Sequence, residues 1–193
     1  MTAPRRARNP RGEGGRLREQ IVSAAIDLLD DGGGERAVTL RAVARRIGIA
    51  PPSIYAHFPD RPALLLAVAR RGFADLAGRL RSTAAAVEEP RQRLHAVCRT
   101  YLEYARHHPQ RYHALFGDHW STQGAEAMRI LTDSLTACTA SGDALSEDPA
   151  TDAIVLWLGL HGLAHQRIVA SSYPWPTDIT RRLTVPLAHL VEN

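Results

Sequence analysis

The stretch ARRIGIAPPSIYAHFPDR, residues 44–61, decides the fold. In it, Gly48 separates an apolar helical pattern from a segment that opens with two prolines. Thr39 is a suitable hydroxyl N-cap for the helix before the glycine, and glycine suits the left-handed position that ends a helix. Because proline needs no amide hydrogen bond in the first turn, we expect Pro51 at or near the next N-cap and Pro52 at the first helical position. The sequence therefore predicts two short helices joined by a tight turn.

The second of these helices is predicted to have an apolar side and a polar side. Ile54 and Phe58, four residues apart, are expected to face inward, and Pro59 ends the helix. The outward side carries small and hydrogen-bonding side chains: Ser53, Ala56 and His57, with Tyr55 at the flank. Two short helices with a glycine turn between them are typical of a helix-turn-helix.

The remainder of the chain is predicted to be helical as well. A first amphipathic helix starts at Leu17 and ends at the glycines 32–34, and a long helix follows Asp60. Strand-like alternation is absent, and Pro186 is expected to kink the last helix. Further helices are expected at residues 91–107, 109–117, 122–140, 149–170 and 177–191. We therefore predict an all-α fold of about nine helices.

Charge is distributed unevenly along the chain. Residues 1–62 contain 11 arginines against 7 acidic residues, whereas residues 63–193 contain 13 of each. Residues 1–15 combine two prolines and three glycines with almost no apolar side chain, which predicts a disordered basic arm. This arm either contacts phosphates or is a solubilising tail. We expect a helix-turn-helix domain at residues 16–62 and a larger helical domain at residues 63–193.

The composition excludes several classes of protein. A hydrophobic content of 45% supports a packed core, and no run of about 18 apolar residues predicts a membrane span. Without an apolar N-terminal signal, we expect a cytoplasmic protein. Cys98 and Cys138 lack metal-ligand spacing and are expected to be buried free thiols. Because nucleophile motifs and glycine-rich phosphate loops are missing, we expect neither an enzyme nor a cofactor.

The segment from Arg16 to about Phe73 resembles the DNA-binding domain of the tetracycline-repressor (TetR) family. The matching residues are Thr39, Ala44, Gly48, Tyr55, Phe58, Leu64 and Leu65. The resemblance implies that Pro51, Pro52, Ser53 and Ala56 meet base edges or thymine methyls, and that Arg41 reaches a guanine. It also implies phosphate contacts from Thr39, Tyr55, His57 and Arg61. Pro51 departs from the polar residue of many members, which leaves the recognition helix few direct hydrogen bonds.

The C-terminal part is similar to the subgroup named WHG, on the residues Trp157, His161 and Gly162. The resemblance implies a domain that binds a small effector and dimerises through the last two helices. Its candidate effector contacts are Tyr104, His108, Tyr112, His113, Trp120, Trp157, His161 and His165. Trp157, His161 and His165 share one helical face. Besides effector binding, two other roles are open for them: a structural role at the dimer interface and, on the histidine spacing alone, metal binding. Tyr101, Tyr104, Phe116 and Met128 are more typical of core than of ligand contacts.

These patterns together favour a DNA-binding transcription factor. We expect a homodimeric repressor that a small-molecule effector releases from a palindromic operator. The alternative is an all-helical small-molecule-binding or enzymatic domain in which the helix-turn-helix is only a fold element. Salt-sensitive affinity for duplex DNA distinguishes the two.

Overall fold

The computed structural model describes residues 13–116 and 124–191. Within these ranges it contains nine helices, one additional single turn of helix and no strand, which confirms the all-α prediction. The chain divides into two compact units, Met1–Val68 and Ala69–Asn193. The division lies inside one helix, and the predicted boundary after residue 62 lies in the first turn of that same helix.

The N-terminal unit contains four helical segments and one π-type turn before the long helix. Its helices are α1 (Glu13–Leu28), the single turn α2 (Gly34–Ala37), α3 (Leu40–Arg46), α4 (Pro51–Tyr55) and the start of α5 (Arg61–Ala86). A π-type turn, Leu29–Gly33, links α1 to α2, and Gly32 has a φ of 87°, a conformation that favours glycine.

The start of α1 corrects the predicted extent of the basic arm. The helix begins at Glu13 rather than at Leu17, so residues 13–15 are helical. The rest of the arm, residues 1–12, lies outside the described residues.

The core of the N-terminal unit comes from one stripe of each helix. Its fully buried side chains include Ile21, Ala25, Val43, Ala44, Ile54 and Phe58. The guanidinium carbon of Arg18 lies 4.8 Å from the centre of the Phe58 ring, so a cation covers the outer face of this core. The inward orientation predicted for Ile54 and Phe58 is confirmed.

The C-terminal unit contains the remainder of α5 and five further helices. These are α6 (Pro90–His107), α7 (Pro109–Leu115), α8 (Ala125–Ala140), α9 (Pro149–Val169) and α10 (Ile179–Leu187). Pro90, Pro109 and Pro149 begin three of them, where a missing amide hydrogen leaves no bond unmade. The Glu89 carboxylate accepts from the backbone amides of Arg91 and Gln92, which fixes the start of α6.

The last helix is shorter than predicted. It ends at Leu187 rather than at residue 191, because Pro186 lies inside its final turn and removes one helical hydrogen bond. His189 then adopts a φ of 48°, and the chain bends to the segment before α9. There the Leu145 amide donates to the His189 carbonyl at 2.9 Å, and the Val191 amide donates to the Asp143 carbonyl at 2.9 Å.

The core of the C-terminal unit is built around α6, α8 and α9. Among its fully buried side chains are Leu80, Leu94, Leu115, Leu135, Leu156 and Leu160. Cys98 and Cys138 are both free and buried, as expected, and burial raises the pKa of the Cys98 thiol to about 12. In the part of the chain that the structure describes, no helix is both long enough and apolar enough to span a membrane.

Candidate DNA-binding surface and ligand cavity

The turn between α3 and α4 is fixed by local backbone bonds. The Ala42 amide donates to the Thr39 hydroxyl oxygen at 3.1 Å, which caps α3 as predicted. At the other end Gly48 has a φ of 69°, and the Ile49 amide donates to the Ala44 carbonyl at 3.0 Å. These bonds set the angle at which the chain enters α4.

Helix α4 begins one residue earlier than predicted. Ala50 is its N-cap, so Pro51 and Pro52 occupy the first two helical positions. Both positions lack a helical partner for an amide hydrogen, and the Ser53 amide donates to the Ala50 carbonyl at 2.9 Å. Two successive prolines therefore stiffen this helix start without leaving a bond unmade.

Most side chains proposed to meet DNA lie on the surface of this unit. Exposed among them are Thr39, Arg41, Pro51, Pro52, Ser53, Tyr55 and Ala56, and His57 is half-buried. Tyr55 is 50% exposed, whereas its neighbour Ile54 is fully buried. The two sides of α4 are thus separated as the sequence predicted, and its outer side is free to enter a groove.

Arg61 has a different environment from the one expected of a phosphate contact. Its guanidinium donates to the Val38 carbonyl at 2.9 Å and to the Glu35 carbonyl at 2.6 Å, with the Glu35 carboxylate at 3.5 Å. These bonds tie the start of α5 to the link between α2 and α3. Its phosphate contact therefore stays a prediction, and a structural role is added to it.

The arginines of α3 also differ from one another. Arg46 pairs with the Asp31 carboxylate. Arg41 and Arg45 are exposed and have no hydrogen-bond or ion-pair partner among the described residues. An unpaired guanidinium next to the recognition helix can bind phosphate or a guanine edge without first breaking a protein contact.

The C-terminal unit encloses a narrow apolar cavity between α5, α6, α8 and α9. The volume open to water-sized molecules is about 20 Å³, far below the roughly 300–1,000 Å³ typical of ligand pockets. The residues that line it include Phe73, Leu76, Tyr101, Phe116, Met128, Leu131, Trp157 and Leu160. The cavity is therefore nearly closed, and a larger occupant requires its aromatic and methionine side chains to move.

A chain of hydrogen bonds borders the cavity at Tyr101. The Tyr101 and Tyr112 hydroxyls lie 2.9 Å apart, and the Tyr112 hydroxyl lies 2.7 Å from His161 Nδ1. Burial is the main cause that lowers the pKa of His161, with the charges of His165 and His113 adding to it. In a neutral imidazole the direction of this bond depends on the tautomer: Nδ1 accepts from the Tyr112 hydroxyl when the ring proton is on Nε2, and donates to it otherwise. Burial also raises the pKa of both tyrosines.

Aromatic rings hold His161 in place. Its ring centre lies 4.4 Å from that of Phe116 and 5.3 Å from that of Trp157, with the indole stacked on the imidazole. Trp157 and Phe116 line the cavity, so the polar chain and the apolar walls meet at these two rings. A small shift of either ring changes the environment of His161.

The structure brings together only part of the predicted effector contacts. Trp157 lines the cavity, and Tyr112 and His161 form the adjoining polar chain. Outside the lining lie Tyr104, His108, His113 and His165. The Tyr104 hydroxyl donates to the Gly72 carbonyl at 3.3 Å, and the His113 and His165 rings lie 5.6 Å apart, with His165 exposed. Trp120 lies outside the described residues.

Sequence patterns missed most of the lining. Tyr101, Phe116 and Met128 were expected in the core, and each also faces the cavity. Apolar residues such as Leu76 and Leu131 carry no signal that separates a cavity wall from a core position. Within the described residues no group of three or more His, Cys, Asp or Glu side chains is arranged to hold a metal ion.

A third feature of the C-terminal unit is an exposed apolar face on α9. Ile154 is 50% exposed and Leu158 is 55% exposed, and Val155 and Val169 are exposed as well. At Gly159 the side chain of Leu187 on α10 approaches closely, since a Cβ there would lie 2.6 Å from a methyl carbon of that leucine. Gly162 has open space around it instead.

Comparisons with known proteins match both units. Residues 21–68 match the family described as bacterial regulatory proteins of the tetR family, and residues 94–190 match a tetracyclin repressor-like C-terminal domain. The transcriptional activator FasR of Mycolicibacterium smegmatis is 31% identical over 149 residues, which are 76% of this chain and 65% of FasR. The chain thus spans slightly less than two thirds of the length of that relative.

Two further comparisons cover almost the whole chain. The transcriptional repressor KstR of Mycobacterium tuberculosis is 28% identical over 182 residues, which are 90% of this chain and 80% of KstR. The solved structure of a protein of unknown function from Rhodococcus sp. RHA1 has a TM-score of 0.78 at 24% identity and covers 99% of this chain and 100% of that chain. At this identity the solved structure shows the fold alone.

The helix-turn-helix and its exposed α4 define a DNA-binding regulator. With both units matched, the chain belongs to the TetR family of bacterial transcriptional regulators. Members of this family bind DNA and are not enzymes.

Proposed function

We propose that this regulator is a homodimeric repressor that leaves a palindromic operator when an apolar small molecule enters the cavity of its C-terminal unit. The observation that carries the proposal is the course of α5. This helix begins at Arg61, which is bonded to the link before α3, and three of its later residues, Phe73, Leu76 and Leu80, line the cavity. An occupant of the cavity therefore touches the same helix whose first turns belong to the DNA-binding unit.

In the proposed complex, α4 lies in the major groove. Pro52 and Ala56 offer apolar contact to thymine methyls, and Arg41 offers two parallel donors to a guanine. Tyr55, His57 and Thr39 donate to phosphates, which positions the helix without reading sequence. The Thr39 oxygen that accepts from Ala42 leaves the hydroxyl proton available for such a bond.

The exposed apolar face of α9 supports the proposed dimer. In a single chain, Ile154, Val155 and Leu158 expose apolar surface to water, which costs about 25 cal/mol for each Å². The same face of a second copy, related by a two-fold axis, covers all three at once. Replacing Leu158 with Arg is expected to convert the dimer to a monomer in sedimentation, and an unchanged mass would contradict this interface.

The nature of the effector follows from the cavity walls. Its lining is almost entirely hydrocarbon and sulfur, and the polar atoms of Tyr101, Tyr112 and His161 already bond to one another. An apolar ligand gains burial here, whereas a strongly polar ligand leaves its own groups without partners. We infer an apolar effector that displaces Phe116, Met128 or Trp157 as it enters.

The sign of regulation has two candidates. Family relatives include FasR, an activator by its name, and KstR, a repressor by its name. We propose a repressor, and transcription in vitro from a promoter that overlaps the bound site decides between the two. Reduced transcript supports the repressor, and increased transcript supports the activator.

DNA binding is tested first with a duplex selected from random sequences by the protein itself. The double variant Tyr55→Phe, His57→Ala is expected to bind both this duplex and a scrambled duplex roughly tenfold more weakly, with a salt slope smaller by about one to two. Tyr173→Phe, on a tyrosine that is 58% exposed in the other unit, is the matched control. No salt-sensitive affinity for any duplex would favour the alternative, a helical small-molecule-binding or enzymatic domain.

A further inference from the structure

A second concave site lies in the C-terminal unit, at the C-terminal ends of α6 and α9. This groove, lined by residues of both helices, of α7 and of the segment after α9, has a volume of about 650 Å³. Four apolar residues line the groove: Leu102, Ala164, Ile168 and Trp175. Two arginines, Arg106 and Arg167, also line it. None of the residues that the structure describes lines both this groove and the apolar cavity.

Within residues 13–116 and 124–191, no carboxylate forms an ion pair with either arginine. Arg106 donates to His107 Nε2 at 2.9 Å, which is a neutral acceptor. Arg167 has no hydrogen-bond or ion-pair partner among the described residues. Burial lowers the pKa of Arg167, and the charge of Arg106 lowers it further, so the two guanidinium groups repel each other in a partly dry site.

Several other arginines of the same unit are paired with carboxylates. Arg79 pairs with Asp75, Arg129 with Glu126 and Arg182 with Asp178. The positions of Arg106 and Arg167 in the last turns of their helices suit the helix dipole. The dipole explains a basic residue at each helix end, but it does not explain why two of them enter one groove with no acid to balance them.

We propose that this groove binds an anionic amphiphile, a monocarboxylate whose oxygens bond to the guanidinium groups of Arg106 and Arg167 and whose apolar body lies along Leu102, Ile168 and Trp175. Paired donors of a planar guanidinium match the geometry of a carboxylate, and the ligand's charge relieves the repulsion between the two arginines. The groove volume lies within the range typical of small-molecule sites, roughly 300–1,000 Å³. The site is separate from the effector cavity, and the proposal does not depend on DNA release.

The test is calorimetric titration of the full chain, without DNA, with octanoate as the probe and 1-octanol as its uncharged counterpart. Octanoate is expected to bind wild-type protein and to bind the double variant Arg106→Gln, Arg167→Gln at least tenfold more weakly, because bonds to charged groups are lost. The matched control is Arg99→Gln, on an arginine of the same helix that lies outside the groove and pairs with Glu103. This control is expected to bind octanoate as wild type does.

Three outcomes would overturn the proposal. Equal octanoate affinity in the double variant and wild type would place the ligand elsewhere, for example in the apolar cavity. Equal loss in Arg99→Gln would reduce the effect to general charge, and octanol binding as tightly as octanoate would exclude the carboxylate. Should the double variant fail to fold, a crystal structure of wild-type protein with octanoate supplies the answer: the carboxylate lies between the two arginines or the proposal is wrong.

Discussion

The polar side chains of α4 and those beside the cavity differ in how their hydrogen bonds are made. Ser53 and Tyr55 lie on the surface, where water can be exchanged for phosphate. Tyr101, Tyr112 and His161 are bonded to one another in the interior. The first unit can therefore meet a ligand without changing its packing, whereas an occupant of the second must move side chains that already have partners. In the proposed function, occupation of the cavity therefore requires rearrangement of side chains, and DNA contact does not.

The largest expected effect tests how firmly the second unit is packed. Replacing Leu156, which is fully buried on α9, with Ala is expected to lower the free energy of unfolding by roughly 2–5 kcal/mol, through lost burial and a new void. Leu145→Ala, on a side chain that is 75% exposed, should cost no more than about 0.5 kcal/mol. Urea unfolding measures both, and similar values would mean that the interior around the cavity is already loose.

A second variant tests the internal hydrogen bonds. Tyr112→Phe removes the hydroxyl that bonds to both His161 and Tyr101, and is expected to cost about 1–2 kcal/mol of unfolding free energy. The cost stays low in this range because the Tyr101 hydroxyl lies 3.4 Å from the same imidazole nitrogen and compensates in part. Thermal unfolding provides the measurement, with Tyr173→Phe as the surface control. A stability equal to that of the control would show that the polar chain is not important to the fold.

The pH dependence of stability sharpens the same contrast. Burial lowers the pKa of His161 in the folded chain, so the unfolded chain takes up a proton first as the pH falls below about 6.5. Stability is therefore full above this pH and declines below it, by less than about 1.4 kcal/mol per pH unit for one group. His161→Asn, which keeps an acceptor near Nδ1, should decline less steeply between pH 7 and 5. The surface variant Tyr173→Phe, on a tyrosine that is 58% exposed, should keep the wild-type slope, and identical slopes in all three proteins would contradict the assignment.

The smallest expected effect belongs to the surface of the first unit. Arg46 and Asp31 are both largely exposed, so Asp31→Asn should change the free energy of unfolding by no more than about 1 kcal/mol. Salt should reduce even this difference, because the charges are screened by ions in the solvent. Urea unfolding at low and high salt measures it. A larger loss of unfolding free energy that does not depend on salt would show that this pair is protected from solvent ions, as the interior of the second unit is.

Several elements could be predicted because their signals are local. The starts of α6, α7 and α9 follow from prolines, and the cap of α3 follows from Thr39. The end of α10 was wrong because a proline near a helix end can either kink the helix or terminate it, and the bonds to Asp143 and Leu145 decide which. These partners are distant in sequence, so no local pattern contains them.

Three arginines, Arg61, Arg106 and Arg167, show a similar limit. The resemblance to the TetR family implied a phosphate contact for Arg61, and in the structure its guanidinium donates to two backbone carbonyls before α3. Arg106 and Arg167 gave no signal in the sequence, since each is an ordinary basic residue near a helix end. Only the packing of α6 against α9 places them in one groove.

By itself the sequence determined the helix-turn-helix. A left-handed glycine, a hydroxyl cap and a pair of prolines act on their own backbone within a few residues, so Gly48, Thr39 and Pro51 carry their structural meaning wherever the chain is placed. Tertiary structure alone decided where the cavity lies and what borders it. Tyr101 and Tyr104 are both buried on α6, yet the first lines the cavity and the second bonds to Gly72. Periodicity shows that a side chain faces inward, but its neighbours there come from other helices, and their packing is set by the whole unit.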